Sequence, residues 1–461
     1  MAQSYQITYF RDLCKDFPTW DALRDFLRSP AGGSLHVKSD GIREGQCIVR
    51  YQQGVSDLRK SHVRWFRSVV WDTVNNRPVC VAPPRSEETL PTPADATRMI
   101  CQEFAEGVMI NAYRLSGADE ATLATRSVIG ASGTFYSQRN FSELFEDALR
   151  VKNIELTKCL YNPADIPNSC STFASFVLQH PEHRLVQKFN YPVVHEVHMG
   201  HVCEDGTVVI NEEPSTWPCP ATYLGLPRAY LAGDCMDYRH LYEWFDDFAY
   251  RMPDSWQGYV IKDGAGHRWK MVNRRHANIR ALRGNESGQV ARFIRLRREG
   301  NMKSYLSYYR DESNMLWQME QNLRNTTNLL YECYVTTHIQ HERHDNELKP
   351  LWKYHVKQLH AFFIDKLRPE GKTMRMINTV DYVNKLPANV QFALLKVSNP
   401  YPWRNVDATL ELPLREGAFT ERDQCVTHGP CDDRDKQSSN DPDTECAYAC
   451  CCDYAIHDTV V

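Results

Sequence analysis

Between Arg268 and Arg298 the chain carries a dense run of cations: Lys270, Arg274, Arg275, Arg280, Arg283, Arg292, Arg295 and Arg297 lie inside it, and Glu286 is the one acid. Groups of this kind suit phosphate, because a guanidinium forks onto two oxygens and an ammonium acts as a point charge. Such a run is also an ordinary solvated face. Its weight comes from contrast: the chain as a whole carries a net charge of -4 over 461 residues, so a case for nucleic acid has to rest on local patches. Arg274, Arg275, Arg280 and Arg283 are therefore candidate nucleic-acid contacts.

Other residues could do chemistry, each with a plainer alternative. Lys270, in RWKMVN, either contacts phosphate or alternates outward on an ordinary strand. Arg126, among the small residues of ATRSVIGASG, either meets ribose or phosphate or pairs with a surface acid. Glu106, just before Gly107, is a metal ligand or a charged strand end. His338, His341 and His344 have helical spacing, but HIQHERHD lacks the order of two histidines and a glutamate that zinc proteases use, so an exposed helix end is expected. Of 16 cysteines, Cys425, Cys431, Cys446, Cys450, Cys451 and Cys452 crowd the tail near His428. They form no Cys-x2-Cys pair across a turn, so zinc is not expected there. The groups Trp317/Met315/Met319 and Trp352/Phe362/Phe363 read as core.

The elements that must position these residues follow from periodicity. Residues 1–34 read as a helical lead-in, with Trp20, Leu23, Phe26 and Leu27 at helical spacing. QCIVRY, RSVVWDT and VNNRPVCVAP are β-branched and aromatic runs with a turn at Asn75-Asn76. EFAEGVMINAY reads as one strand and ATRSVIGASG as another. FSELFEDALR is an amphipathic helix. STFASFVLQHPEHRLV and YPVVHEVHM are two more strands, and GYVIKD and HRWKMV form a pair hinged at Asp263-Gly264. Beyond Ser287 the pattern turns helical: Leu316, Met319, Leu323, Leu330 and Tyr334 share one face, and Trp352, Val356, Leu359 and Phe363 share another. After Pro413 the composition shifts to Asp, Ser, Asn, Gly and Cys and reads as disordered. No apolar stretch approaches the ~18 residues of a membrane span. The N-terminal run has no basic region followed by an apolar core, so an intracellular chain with reduced thiols is expected.

Taken in order, RSVVWDT…PVCVAPPR, EFAEGVMINAY, ATRS, SFVLQHPEHRLV, QGYVIKD and RWKMVN span roughly residues 45 to 285. This series resembles the ATP-dependent RNA ligases of the phage T4 RNA ligase 1 type, in the version carried by large DNA viruses. The resemblance implies an α+β chain: an antiparallel-sheet nucleotidyltransferase domain over residues 35–287, a helical C-terminal domain over 288–412, and a Cys-rich tail over 413–461. It implies ATP, Mg²⁺ or Mn²⁺, RNA ends as partners, and RNA joining or repair through a lysyl-AMP.

The resemblance also assigns roles. Arg67 and Arg85 would contact the triphosphate, Arg126 the ribose or phosphate, and Phe173 or Phe176 would stack the adenine. The nucleophile motif, lysine–any–acid–glycine, falls on Phe104-Ala105-Glu106-Gly107, where Glu106 and Gly107 fit but a phenyl ring stands in the lysine's place. A phenyl ring cannot attack phosphorus. The metal-binding Glu-Gly reads Gln257-Gly258, and the final pair of lysines reads Lys270-Met271-Val272, leaving one of the two. Loss of coupled charged groups on an intact apolar framework is the pattern of a retired site, which makes a polynucleotide-binding or virion-associated module the alternative to an active ligase. A rival register exists: Lys38-Ser39-Asp40-Gly41-Ile42-Arg43 spells a nucleophile motif in the DNA ligase form, or else a polar hairpin tip.

Overall fold

The computed structural model describes residues 4–39, 43–87, 100–211, 229–231, 241–286 and 288–397. It is a mixed α/β chain of antiparallel sheets followed by helices, and divides into two units, Met1–Gly288 and Gln289–Val461.

In the first unit the chain opens with β1 (Ser4–Ile7), α1 (Tyr9–Asp16) and α2 (Trp20–Arg28). A meander follows: β2 (His36–Lys38), β3 (Gln46–Arg50), β4 (Val69–Asp72) and β5 (Arg77–Val81), each antiparallel to the next. Then come β6 (Ile100–Glu103), β7 (Val108–Leu115), β8 (Thr122–Ala124), α3 (Phe141–Lys152), β9 (Ser169–Gln179), β10 (Val193–Cys203), β11 (Val208–Asn211) and β12 (Ala229–Leu231). The unit closes with α4 (Leu241–Arg251), β13 (Gly258–Lys262), β14 (Arg268–Val272) and α5 (Arg274–Arg283).

Besides the meander there are two further sheets, a six-stranded one in the order β1-β11-β10-β9-β7-β8 and a four-stranded one in the order β12-β6-β13-β14. β9 is buried on both faces, as its run of Phe, Ala, Val and Leu requires. Alternation sends Phe173 to the core shared with the meander and with α1 and α2, and Phe176 to the core under α3. A capping box starts α3: Asn140 Oδ1 accepts from the Glu143 N–H at 2.9 Å, and Glu143 returns the bond to the Asn140 N–H. A third core, with Trp256, Tyr259, Trp269 and Met271, joins α4 to β13 and β14.

Three local readings change. The opening segment is not a helical lead-in apart from the domain: β1 pairs with β11, and Phe10, Leu13, Leu23 and Leu27 are in the first core. EFAEGVMINAY is not one strand, because it breaks at Phe104–Gly107 and passes from the four-stranded to the six-stranded sheet. ATRSVIGASG keeps only the short β8, after which the Thr125 N–H and side chain turn back onto the Val128 carbonyl.

The second unit consists of α6 (Gln289–Arg298), α7 (Met302–Tyr308), α8 (Ser313–Tyr334), α9 (Pro350–Phe362), α10 (Met376–Lys385) and α11 (Ala388–Lys396). Leu316, Leu323, Leu330 and Tyr334 of α8 and Trp352, Val356 and Leu359 of α9 are buried at helical spacing. Trp317 departs from its expected place in the core: it is 61% exposed, on the opposite face from Leu316 and Leu323, and Phe362 is also exposed. Among the described residues, no helix is long and apolar enough to cross a membrane.

Candidate functional site

The break between β6 and β7 creates the site. Phe104 N–H donates to the Gly258 carbonyl at 2.8 Å, pinning the loop to the start of β13. Two glycines allow the strands to close on it. A β-carbon on Gly107 would fall on the Leu178 carbonyl oxygen, and one on Gly258, at φ +139°, on the Met271 carbonyl oxygen. Gly107 thus packs backbone on backbone.

A cleft of about 290 Å³ opens beside this break. Met109, Val177, Val197 and Val260 form its apolar wall, and Phe104 and Tyr51 add aromatic surface. Arg67, Arg85, Arg268 and Lys270 bring four cations, against Glu103 as the one carboxylate among the described lining residues. An apolar wall with a few convergent charges is the usual make-up of a small-ligand site. A wider groove of about 790 Å³ runs along α3 past Phe145, Leu149, Arg150 and Lys152, and none of the motif residues lines it.

Backbone pairing explains how distant cations converge. Glu87 N–H donates to the Arg268 carbonyl at 2.8 Å and Lys270 N–H to the Glu87 carbonyl at 3.0 Å, so the segment after β5 lies along β14. Arg85 N–H donates to the Arg64 carbonyl at 3.0 Å, which carries Arg85 to the cleft. Arg268 and Lys270 are two apart on β14 and share a face, while Trp269 and Met271 fill the core behind. Arg67 is half-buried, and desolvation, with Arg126 nearby, lowers the pKa of its guanidinium. Among the described residues no carboxylate pairs with Arg67 or Arg85.

The expected residues divide accordingly. Arg67, Arg85 and Lys270 line the cleft, together with Phe104. Arg268 was missed: the two basic residues spaced two apart are Arg268 and Lys270, two residues earlier than Lys270-Met271-Val272. The signal was there, because Arg268-Trp269-Lys270 alternates on a strand whose other face is aromatic and apolar.

Other expectations are corrected. Glu106 is 4% exposed and turned into the interior behind the cleft. Its Oε1 accepts from the Val186 and Gln187 N–H groups at 2.9 Å each, and its Oε2 lies 2.5 Å from His276 Nε2, so neither oxygen is available to a metal or a nucleotide. Phe176 is fully buried against Phe145 and Phe173 is 1% exposed in the opposite core, which leaves neither ring free to stack a base. Val177, the residue after Phe176 and on the other face of the strand from it, is the β9 residue at the cleft. Arg126 is exposed outside the lining, over the Tyr51 ring at 4.7 Å and donating to the Tyr51 carbonyl at 2.9 Å. Lys38 is also outside it, its amine donating to the Ser127 carbonyl at 3.0 Å; Asp40, Gly41 and Ile42 lie outside the described residues.

The basic run of Arg268 to Arg298 is not one patch. Arg275 donates to the carbonyls of Ala249, Tyr250 and Met252 at the end of α4 and pairs with Asp254 at 3.0 Å. Arg280 donates to the Gly284 carbonyl, and Arg283 is buried over the Tyr136 ring; Arg274 alone of the four is exposed. Arg292, Arg295 and Arg297 belong to the second unit and pair with Glu312, Glu299 and Glu320. Helix-end carbonyls and local acids take up charge that the sequence reading assigned to phosphate.

Behind Val197, Glu196 is 3% exposed, and burial pushes its carboxyl pKa up to about 8, with Lys262 acting in the opposite direction. His338 stacks on His360 at 3.9 Å. Among the described residues no group of three or more His, Cys, Asp or Glu is arranged to hold a metal, and the tail cysteines lie outside them. A divalent ion at the cleft would find Glu103 as its one carboxylate among the described lining residues and would draw on phosphate oxygens and water besides.

No protein-family model matches the chain, and no curated protein matches it. Among solved structures, the chain is similar to a putative ATP-dependent DNA ligase from Aquifex aeolicus, at 11% identity and a TM-score of 0.33 over 75% of this chain and 80% of that one.

Proposed function

We propose that the cleft binds a nucleoside triphosphate, ATP by the resemblance to RNA ligases, and holds it without forming a covalent lysyl-AMP. On this reading the chain is a ligase-like nucleotidyltransferase fold that has given up its first catalytic step and serves as a nucleotide-binding and polynucleotide-binding module. The observation that carries it is the lining itself: Phe104, which the resemblance assigns to the nucleophile position, lines the cleft beside Arg67, Arg85, Arg268 and Lys270. Four cations complement a polyphosphate, and the apolar wall gives a base a surface to pack on. Phenylalanine offers no lone pair to the α-phosphorus.

The second reading keeps the enzyme active with Lys270 as the nucleophile. Lys270 is the one lysine among the described lining residues, and this observation favours it over Lys38.

One experiment separates them. The protein is incubated with α-labelled ATP and Mg²⁺ or Mn²⁺, resolved under denaturing conditions, and titrated in parallel with unlabelled ATP at equilibrium. Saturable, reversible binding with no label surviving denaturation is expected, and Arg85→Ala weakens it by roughly tenfold or more, as loss of a charge-assisted hydrogen bond does. Absence of ATP binding at millimolar concentration overturns the proposal. A denaturation-stable label that Lys270→Ala abolishes replaces it with the second reading.

A further inference from the structure

Outside the cleft lie three cations that the nucleotide reading leaves unused, Lys38, Arg50 and Arg126, and they run up to Arg67 in its lining. Arg50 ends β3, opposite His36 of β2, and Lys38 is two residues further along β2 on the same face. Arg126 lies over Tyr51, the residue after Arg50. Tyr51 N–H donates to the Phe66 carbonyl at 2.6 Å, which brings Arg67 to the same place, and Lys38 donates to the Ser127 carbonyl beside Arg126. Hydrogen bonds between these segments thus hold Lys38, Arg50, Arg126 and Arg67 together at one edge of the meander, and Arg67 and Tyr51 continue into the cleft.

These charges are not neutralised. Among the described residues, none of the four has a carboxylate partner within ion-pairing reach. The Nε of Arg50 is buried with no hydrogen-bond partner. The charged groups that bear on Arg50 and Arg67 are each other's neighbours: Arg126 disfavours the charge on both, and Tyr51 is the one group that favours it at Arg67. Repelling guanidiniums, partly desolvated and left with open donors, cost stability unless a polyanion completes them. This contrasts with Arg275 of α5 and Arg292, Arg295 and Arg297 of α6, each of which pairs with an acid.

We infer that Lys38, Arg50, Arg126 and Arg67 form a track for the phosphodiester backbone of a single-stranded polynucleotide, leading its end to the nucleotide cleft. The inference rests on the proposed cleft for its direction, but the strip can bind whether or not ATP does. Tyr51, which lines the cleft and carries Arg126 over one face of its ring, offers aromatic surface on which a base can stack. Single-strand sites that combine a cationic groove with an aromatic platform bind with little sequence preference and strong salt dependence.

The test uses the full chain and a fluorescent oligonucleotide of about 16 residues, a length that spans such a groove, as RNA and as DNA, titrated from low to moderate salt. The wild type is expected to bind, with affinity falling linearly in log salt. The double variant Lys38→Ala/Arg126→Ala is expected to flatten that slope by about 1.4, since each phosphate contact on a single strand contributes about 0.7. Arg274→Ala/Arg275→Ala serves as the contrast and leaves the slope as it was. The proposal is overturned if neither oligonucleotide binds at low salt, if the slope survives the Lys38/Arg126 change, or if polyglutamate binds as well as the oligonucleotides. The cleft and the strip fail separately, because ATP titration reads the first and the oligonucleotide slope the second.

Discussion

Glu106 Oε2 and His276 Nε2 lie 2.5 Å apart, both residues buried, across 170 positions of sequence. The contact ties the loop that bounds the cleft to α5, and the Val186 and Gln187 N–H groups hold the other carboxylate oxygen. Removing the carboxylate strands three donors in the interior. Glu106→Ala is expected to lower stability by about 3–5 kcal/mol, the range for breaking one half of a buried polar pair. Glu106→Gln keeps an acceptor and is expected to lose less. Urea unfolding of both variants checks this; a Glu106→Ala protein as stable as wild type but defective in Mg²⁺ binding would return Glu106 to the metal role.

The two strand-closing glycines make a second prediction. Gly258→Ala puts a methyl group onto the Met271 carbonyl and Gly107→Ala puts one onto the Leu178 carbonyl, and backbone atoms cannot swing aside as a flexible side chain can. Each change is expected to cost at least about 1–3 kcal/mol. Because both contacts frame the cleft, ATP affinity is expected to fall along with stability. Gly264→Ala is the control, since a β-carbon there meets open space; a thermal melt that shifts equally for all three disproves the packing argument.

How much of this could be read in advance depends on what kind of signal each residue carries. The pair β13 and β14, the helix α3 and the buried faces of α8 and α9 follow from periodicity, which burial enforces directly. The break at Phe104–Gly107 does not, because Glu106-Gly107 between extended runs looks the same whether the chain stays in one sheet or crosses to another. Arg67, Arg85 and Lys270 were legible as members of one ordered series, and they do line one cleft. Glu106 and Phe176 were not, because which side of a strand faces a cleft turns on tertiary packing: Phe176 went under α3 and Val177 faced the cavity. The basic run misled for a related reason. A sequence shows where arginines are but not which carbonyls they satisfy.

Arg275 makes that last point testable. Its guanidinium donates to three carbonyls at the end of α4, at 3.1, 2.9 and 2.6 Å, and pairs with Asp254. It therefore acts as a cap joining α4 to α5, where cationic donors suit the unsatisfied carbonyls of a helix C-terminus. Arg275→Ala is expected to lower stability by about 1–3 kcal/mol, the cost of leaving such groups unmet. Arg275→Lys recovers part of it, since one ammonium cannot reach all three carbonyls with the same fork. A loss of oligonucleotide affinity at undiminished stability would point instead to a phosphate contact.

Glu196 sets a pH dependence whose sign can be worked out. Desolvation raises its pKa from 4.5 to about 8 in the folded chain, while Lys262 limits the rise. Between these values the folded state holds a proton that the unfolded state has released, so stability falls as pH rises through this window and levels off above about 8. Glu196→Gln stays neutral throughout. The variant is expected to match wild type near pH 4.5 and to exceed it increasingly towards pH 8, with a gain on the order of 4 kcal/mol there. Unfolding midpoints measured at pH 5, 7 and 9 supply the comparison. A constant offset between the two proteins across that range would mean that Glu196 is ionised in the folded state at every pH tested, and that Lys262, not burial, governs its proton.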